Sequence, residues 1–196
     1  MNLSRLFMNV VVAVSSLVLV ACAQSPQKIV LAPTFAEAPE TLASGQPVHV
    51  RVSDGRSETV LGSRGGAYRD TALISLQNSL SLAVQPVLKA RLKEMGFAVD
   101  SLSPDTADLH VVFESLVYNH PLQDGVGYDM DMLAVVRIEA TRSDKRYEGR
   151  YRVKRKEKFF NAPSEPHNTE LVNKLVVEVL DSMLADLNLQ RFLLAR

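Results

Sequence analysis

The spacing of apolar and polar residues changes period several times along the chain, and each change predicts an element. Val48, Val50 and Val52 alternate with His49 and Arg51, the two-residue period of a half-buried strand. Ser53-Asp54-Gly55-Arg56 reads as a turn. A short strand follows around Thr59 to Leu61, then the loop Gly62-Ser63-Arg64-Gly65-Gly66, then a strand from Tyr68 to Leu76. From Ser79 to Met95 the spacing becomes three and four. Leu80, Ala83, Val84, Val87, Leu88, Leu92 and Met95 share one helical face. Asn78 or Ser79 is placed to cap its start and Gly96 its end. Pro86 lies inside this pattern and predicts either a kink or a regular helix that starts near Gln85. Phe97 to Val99 and Leu109 to Tyr118 read as strands, and Tyr128 to Ala140 with Lys145 to Phe159 as a long hairpin. Asn168 precedes a second helix with an apolar stripe from Leu171 through Leu187, and Leu189 to Leu194 adds a further turn.

Strands and helices do not alternate regularly, which argues against a doubly wound parallel sheet. The order predicts an α+β two-layer sandwich: a mainly antiparallel sheet with two amphipathic helices packed on one face. Upstream of Val48, residues 22–46 carry Pro26, Pro33 and Pro39, with Pro47 at their edge. They read as a tether with one possible edge strand at Ile29-Val30-Leu31, leaving 47–196 as a single globular domain.

Charge sharpens the hairpin. Arg150, Arg152, Lys154, Lys156 and Lys158 all project to one side of the last strand, a candidate stripe for an anionic ligand. A four-residue loop, Thr141 to Asp144, would set Glu139 against Arg146, Arg137 against Glu148, Asp131 against Lys154 and Asp129 against Lys156. The same register turns Ile138, Ala134 and Met132 towards a core. Only Arg150 and Arg152 then face apolar residues, so the remaining candidate for an anionic-ligand surface is Arg150 with Arg152. Over the whole chain, 22 basic residues balance 22 acidic ones. That balance gives no reason to expect nucleic acid as a partner.

The first 25 residues follow a different logic. Leu6 to Val20 is apolar except for Asn9, Ser15 and Ser16, with Arg5 before it and small residues after it. A run of about 15 residues is short for a membrane span, which needs about 20. It has the layout of a secretory signal covering 1–21. Leu19-Val20-Ala21-Cys22 resembles the bacterial lipoprotein lipobox. What that resemblance implies is cleavage between Ala21 and Cys22, S-diacylglycerol on Cys22 and acylation of its freed amine. Ala23 stands where an inner-membrane retention aspartate would be, which implies sorting to the outer membrane. Cys22 is the only cysteine, so no intrachain disulfide is possible. No histidine precedes His49 to serve it as a base or co-ligand. Removing 1–21 leaves 21 basic and 22 acidic side chains, formally −1, so nothing but the anchor draws the chain to lipid.

The remaining candidates for chemistry are bland. The glycine loop at 62–66 lacks the Gly-Lys-Ser/Thr ending of a phosphate loop. The four histidines, His49, His110, His120 and His167, are scattered singly and suggest no metal. Asp129 and Asp131 share an outer strand face with basic partners. No serine elbow is present, and no cofactor is implied.

With the lipobox in place, the order of features resembles the YajG-type family of uncharacterised lipoproteins. The resemblance runs through Ile29-Val30-Leu31-Ala32-Pro33 and Val48-His49-Val50-Arg51-Val52. It continues through Lys93-Glu94-Met95-Gly96-Phe97, Ala107-Asp108-Leu109-His110-Val111, Val135-Val136-Arg137-Ile138-Glu139-Ala140 and the closing helix. It implies an outer-membrane lipoprotein of unassigned biochemistry and carries over no catalytic residue. The expected role is a non-catalytic binding or adaptor module in the periplasm, contacting an envelope protein or peptidoglycan. A cell-wall-active enzyme and a structural lipoprotein without a dedicated ligand are the alternatives.

Overall fold

The computed structural model describes residues 25–65, 69–101, 103–120 and 127–195. Cys22, Ala21, Ala23 and the whole of the expected signal segment lie outside the described residues. Eight strands form one sheet: β1 (Gln27–Ile29), β2 (Pro47–Asp54), β3 (Val60–Ser63), β4 (Leu73–Leu76), β5 (Ala98–Val99), β6 (Ala107–Asn119), β7 (Tyr128–Arg142) and β8 (Lys145–Phe159). Among the described residues three helices accompany it: α1 (Leu80–Glu94), α2 (Glu165–Leu184) and α3 (Leu187–Leu194). The broad α+β class holds, but the sheet is mixed rather than mainly antiparallel. β1 runs parallel to β4, and β2 runs parallel to both β5 and β6. β3 touches β6 in parallel at Gly62 and Tyr118, while β3–β4, β6–β7 and β7–β8 are antiparallel. The parallel pairs join segments far apart in sequence, so no local turn advertises them.

β6 is the hub. Its first half pairs with β2 on one edge, its far end reaches β3, and β7 lines its other edge. Leu109, Val111 and Phe113 point into the core, and a bulge between Phe113 and Ser115 inserts Glu114. The extra residue resets the alternation so that Leu116 and Tyr118 also face inward. Gly62 is required where β3 meets β6, since a Cβ there would stand 1.7 Å from the Tyr118 carbonyl oxygen. β3 therefore continues through Gly62 and Ser63, where a loop was expected.

α1 starts at Leu80 with Ser79 as its N-cap and buries Leu80, Val84, Leu88 and Leu92. It runs unbroken through Pro86. Pro86 and Leu82 are both exposed, so the hydrogen bond that proline cannot donate is lost on the solvent side. At the other end Gly96 takes φ +92°, and a side chain there would strike the Ala43 carbonyl 2.2 Å away. α2 begins three residues before Asn168, with a proline in its first turn. Asn168 is thus a buried helix residue and not a residue ahead of the helix. Leu187, expected as the last of the α2 stripe, opens α3 instead and is 62% exposed. The helices join one core with Val48, Val50, Leu109, Val111, Ile138 and Ala140 on a single face of the sheet.

The expected tether proves to be part of this packed unit from Gln27 onward. Ile29 and Leu31 are buried. Three side-chain amides bind the segment where backbone partners run out. Asn78 accepts from the Leu31 N–H (2.9 Å) and donates to its carbonyl (2.8 Å). Asn173 accepts from the Ala32 N–H (2.7 Å) and donates to the Val30 carbonyl (3.0 Å). Asn168 donates to Gln27 Oε1 at 2.6 Å and accepts from the Tyr118 hydroxyl, all three residues being buried. Further along, Leu42 and Ala43 N–H both donate to the Met95 carbonyl at 2.9 Å.

Asp186 closes the other end. It caps α3 through the Asn188 N–H (2.8 Å) and accepts from Tyr147 (2.6 Å) and Tyr151 (2.7 Å) of β8. The two phenols hold its carboxyl below the usual range.

Two outcomes follow from these clusters. Asn168→Ala leaves the Tyr118 hydroxyl and the Gln27 amide without their buried partner and should cost about 1–3 kcal/mol in urea unfolding. A loss within error would show that the cluster contributes nothing. Because the Asp186 carboxyl is depressed in the folded state, its contribution is complete above the ordinary aspartate pKa and fades as pH falls through the folded value. Asp186→Ala should lower stability at pH 7 and flatten the fall in melting temperature on acidification below about pH 4. Parallel wild-type and variant curves would contradict that.

Candidate functional site

The basic strand β8 lies at one edge of the sheet, and its side chains divide by face. Tyr147, Tyr151, Val153 and Arg155 point towards α2 and α3, where Arg155 forms a bidentate pair with Glu178. Arg146, Glu148, Arg150, Arg152, Lys154, Lys156 and Lys158 are exposed on the opposite face. Among the described residues that face carries no helix.

The hairpin register differs from the expected one by two residues. Arg142 pairs with Lys145 across a two-residue turn, Ser143-Asp144, with Ser143 at φ 52°. Arg142 is a strand residue because its guanidinium is buried and donates to the Leu193 carbonyl (2.8 Å) at the C-terminus of α3. A shift of two leaves the faces unchanged, so the core residues were assigned correctly. The partners change. Glu139 stands opposite Glu148, and Arg146 bridges them at 3.4 and 2.6 Å. Arg137 stands opposite Arg150, and Glu114 from the β6 bulge binds both, at 3.1 and 2.8 Å. Lys156 pairs with Asp131 (3.4 Å) and Lys158 with Asp129 (3.8 Å).

The candidate pair Arg150 and Arg152 is therefore split. Arg150 is tied to Glu114, an ion pair that sequence spacing missed because its carboxylate comes from a third strand. Arg152 has no carboxylate partner among the described residues, and neither does Lys154, which faces Leu133 and not Asp131. Arg152 and Lys154 border a shallow groove of about 300 Å³ with Val117 and Leu133 on its floor and Asn119 and Asp131 at its end. Two uncompensated cations beside aliphatic side chains suit an anionic group carried on a partly apolar body.

A second, larger groove of about 640 Å³ runs between residues 34–38 and α2. Arg91 spans its base. Its guanidinium donates to the Glu37 carbonyl (2.5 Å), stacks over Phe35 (4.4 Å) and lies 3.6 Å from Asp181. Burial raises the Asp181 carboxyl, with Arg91 opposing the rise. Glu178 at its rim is committed to Arg155. The histidines stay apart: His49 meets Asp108, His110 meets Ser53, and the His120 and His167 rings pack on Tyr128 and Phe159. No group of three or more His, Cys, Asp and Glu side chains among the described residues is arranged to hold a metal ion.

A family model described as "Uncharacterized lipoprotein" matches residues 33–194. The chain belongs to that family. The match spans β2 to α3, including the β6 bulge, the hairpin and both grooves. A search of curated proteins finds no match. Among solved structures, an uncharacterized protein is similar at 10% identity and a TM-score of 0.46, covering 77% of this chain and 96% of its own. Protein XCC0632 from Xanthomonas campestris is similar at 12% identity and a TM-score of 0.43, covering 81% and 95%. Among the described residues no helix is long and apolar enough to cross a membrane.

Proposed function

We propose that this lipoprotein is a non-catalytic binding module of the cell envelope. It is held at the outer membrane by lipid on Cys22, and its folded unit lies in the periplasm. The groove beside Arg152 and Lys154 receives an anionic group of an envelope protein or of peptidoglycan. The observation that carries the reading is a pair of cations without a carboxylate partner among the described residues, over Val117 and Leu133 on the sheet face opposite the helices. The groove beside Arg91 is where the enzymatic alternative would have to operate, since it is the larger groove and holds a carboxyl, Asp181, that burial raises.

Two experiments test the two halves of this reading. A photo-crosslinking residue in place of Leu133 should capture an envelope protein or peptidoglycan fragment in cells. Combining it with Arg152→Glu and Lys154→Glu should cut the yield about tenfold. No adduct beyond that seen with the same residue at exposed Leu82, or an adduct indifferent to the charge reversals, would refute the groove. Release of soluble fragments from purified cell wall by the wild-type protein, lost in Asp181→Asn, would replace binding by catalysis.

Cys22→Ala should accumulate an unlipidated precursor that keeps residues 1–21 and leaves the outer-membrane fraction, with the folded domain's circular dichroism unchanged. A variant that is still cleaved and still fractionates with the outer membrane would overturn the anchor.

A further inference from the structure

The packed unit begins at Gln27, only five Cα–Cα steps after Cys22, so at full extension the connection reaches about 18 Å. A lipid on Cys22 therefore brings the start of β1 close to the bilayer and fixes which end of the domain faces it. That end can be traced through contacts. Gln27 is hydrogen-bonded to Asn168, the neighbouring His167 ring packs edge-on to Phe159 at 5.2 Å, and Phe160 follows. Phe160 is 89% exposed, more than any other large apolar side chain described, and Leu73, one register step beyond the Gln27–Ile74 pair, is 37% exposed at the same end.

We infer that this end docks on the bilayer, with the Phe160 ring inserted among the lipid headgroups. The inference rests on the Cys22 anchor proposed above. An aromatic side chain is suited to this boundary, and a lipid chain already in place makes its contact intramolecular. Lys156 and Lys158 nearby are matched by Asp131 and Asp129, so apolar contact and not net charge holds the end down. The opposite end is remote. Leu187 follows Asp186, which binds Tyr147, and Tyr147 lies twelve residues along β8 from Phe159, a separation of about 40 Å.

The chain contains no tryptophan, so one substitution supplies a clean reporter. Phe160→Trp and Leu187→Trp would each be purified from membranes as the lipidated protein. Each would then be reconstituted into phosphatidylethanolamine–phosphatidylglycerol vesicles with and without brominated acyl chains. Emission of Phe160→Trp should shift to the blue and fall about twofold or more with brominated lipid, while that of Leu187→Trp stays unchanged. Raising the salt should leave the quenching in place, because charge is not the force. Equal quenching at both sites, or none at either, in protein whose intact mass carries the lipid would overturn the docking and leave the anchor standing. An intact mass without lipid on Cys22 would overturn the anchor and this inference with it.

Discussion

One residue inserted in the middle of one strand governs most of this molecule. β6 must serve β2 along its first half, β3 at its end and β7 along its whole length, with apolar residues inward throughout. A strict two-residue alternation from Leu109 would turn Ser115 and Val117 to the core and Leu116 and Tyr118 to solvent. The bulge at Glu114 prevents that, and it has a second effect. The displaced carboxylate swings under β7 and β8 and takes up both Arg137 and Arg150. Among the described residues, what remains uncompensated on the open face is the next stretch of β8, Arg152 and Lys154. The candidate groove is thus a by-product of how the core was kept dry: the bulge decides which cations are spent and which stay available.

Much of this was legible in the residues and some was not, for reasons that differ by element. α1 and α2 showed through their three-and-four spacing, and the hairpin faces showed through their alternation. The hairpin register did not. Opposite charges favour the expected pairing, but diagonal neighbours on a sheet are also within reach of long side chains. Arg146 between Glu139 and Glu148 demonstrates how a register two residues away satisfies nearly the same charges. The deciding vote was cast by Arg142, whose guanidinium seals the end of α3 from inside. Ser143-Asp144 lacks the glycine that usually announces a two-residue turn. Parallel pairing stayed hidden for a related reason, because β1, β4 and β2 find their neighbours across long stretches of sequence with no turn between.

The N-terminal stretch was misjudged as tether because its prolines suggested an extended, unpacked chain. A short strand flanked by proline has few ladder bonds of its own. Here the shortfall is made up by asparagines distant in sequence: Asn78, just ahead of α1, and Asn168 and Asn173 on α2 read the backbone and side chains of residues 27–32. Asparagine in a helix is unfavourable by propensity, so Asn168 and Asn173 on one helix, both facing this segment, are a tertiary signal that local spacing does not carry. The consequence is mechanical. An N-terminal segment clamped this firmly cannot act as a long leash, and the spacing between the proposed lipid on Cys22 and the packed unit shrinks to the few residues before Gln27.

That short spacing bears on the groove. β1 and β6 run in opposite senses, so the Asn119, Tyr128 and Phe159 ends of β6, β7 and β8 lie at the same end of the sheet as the start of β1, the end that the proposed anchor would hold at the bilayer. Arg152 and Lys154 lie six to eight residues up β8 from Phe160, about 20–26 Å along the strand. That is beyond the range at which headgroup charge acts through physiological salt, about 8 Å. On the proposed anchor, the two cations would therefore not be consumed by the membrane. The proposed docking at one end and the proposed recognition on the open face therefore do not compete: an anchor at Cys22 would orient the sheet edge-on to the bilayer and leave the groove facing sideways, within reach of a protein or cell-wall polymer.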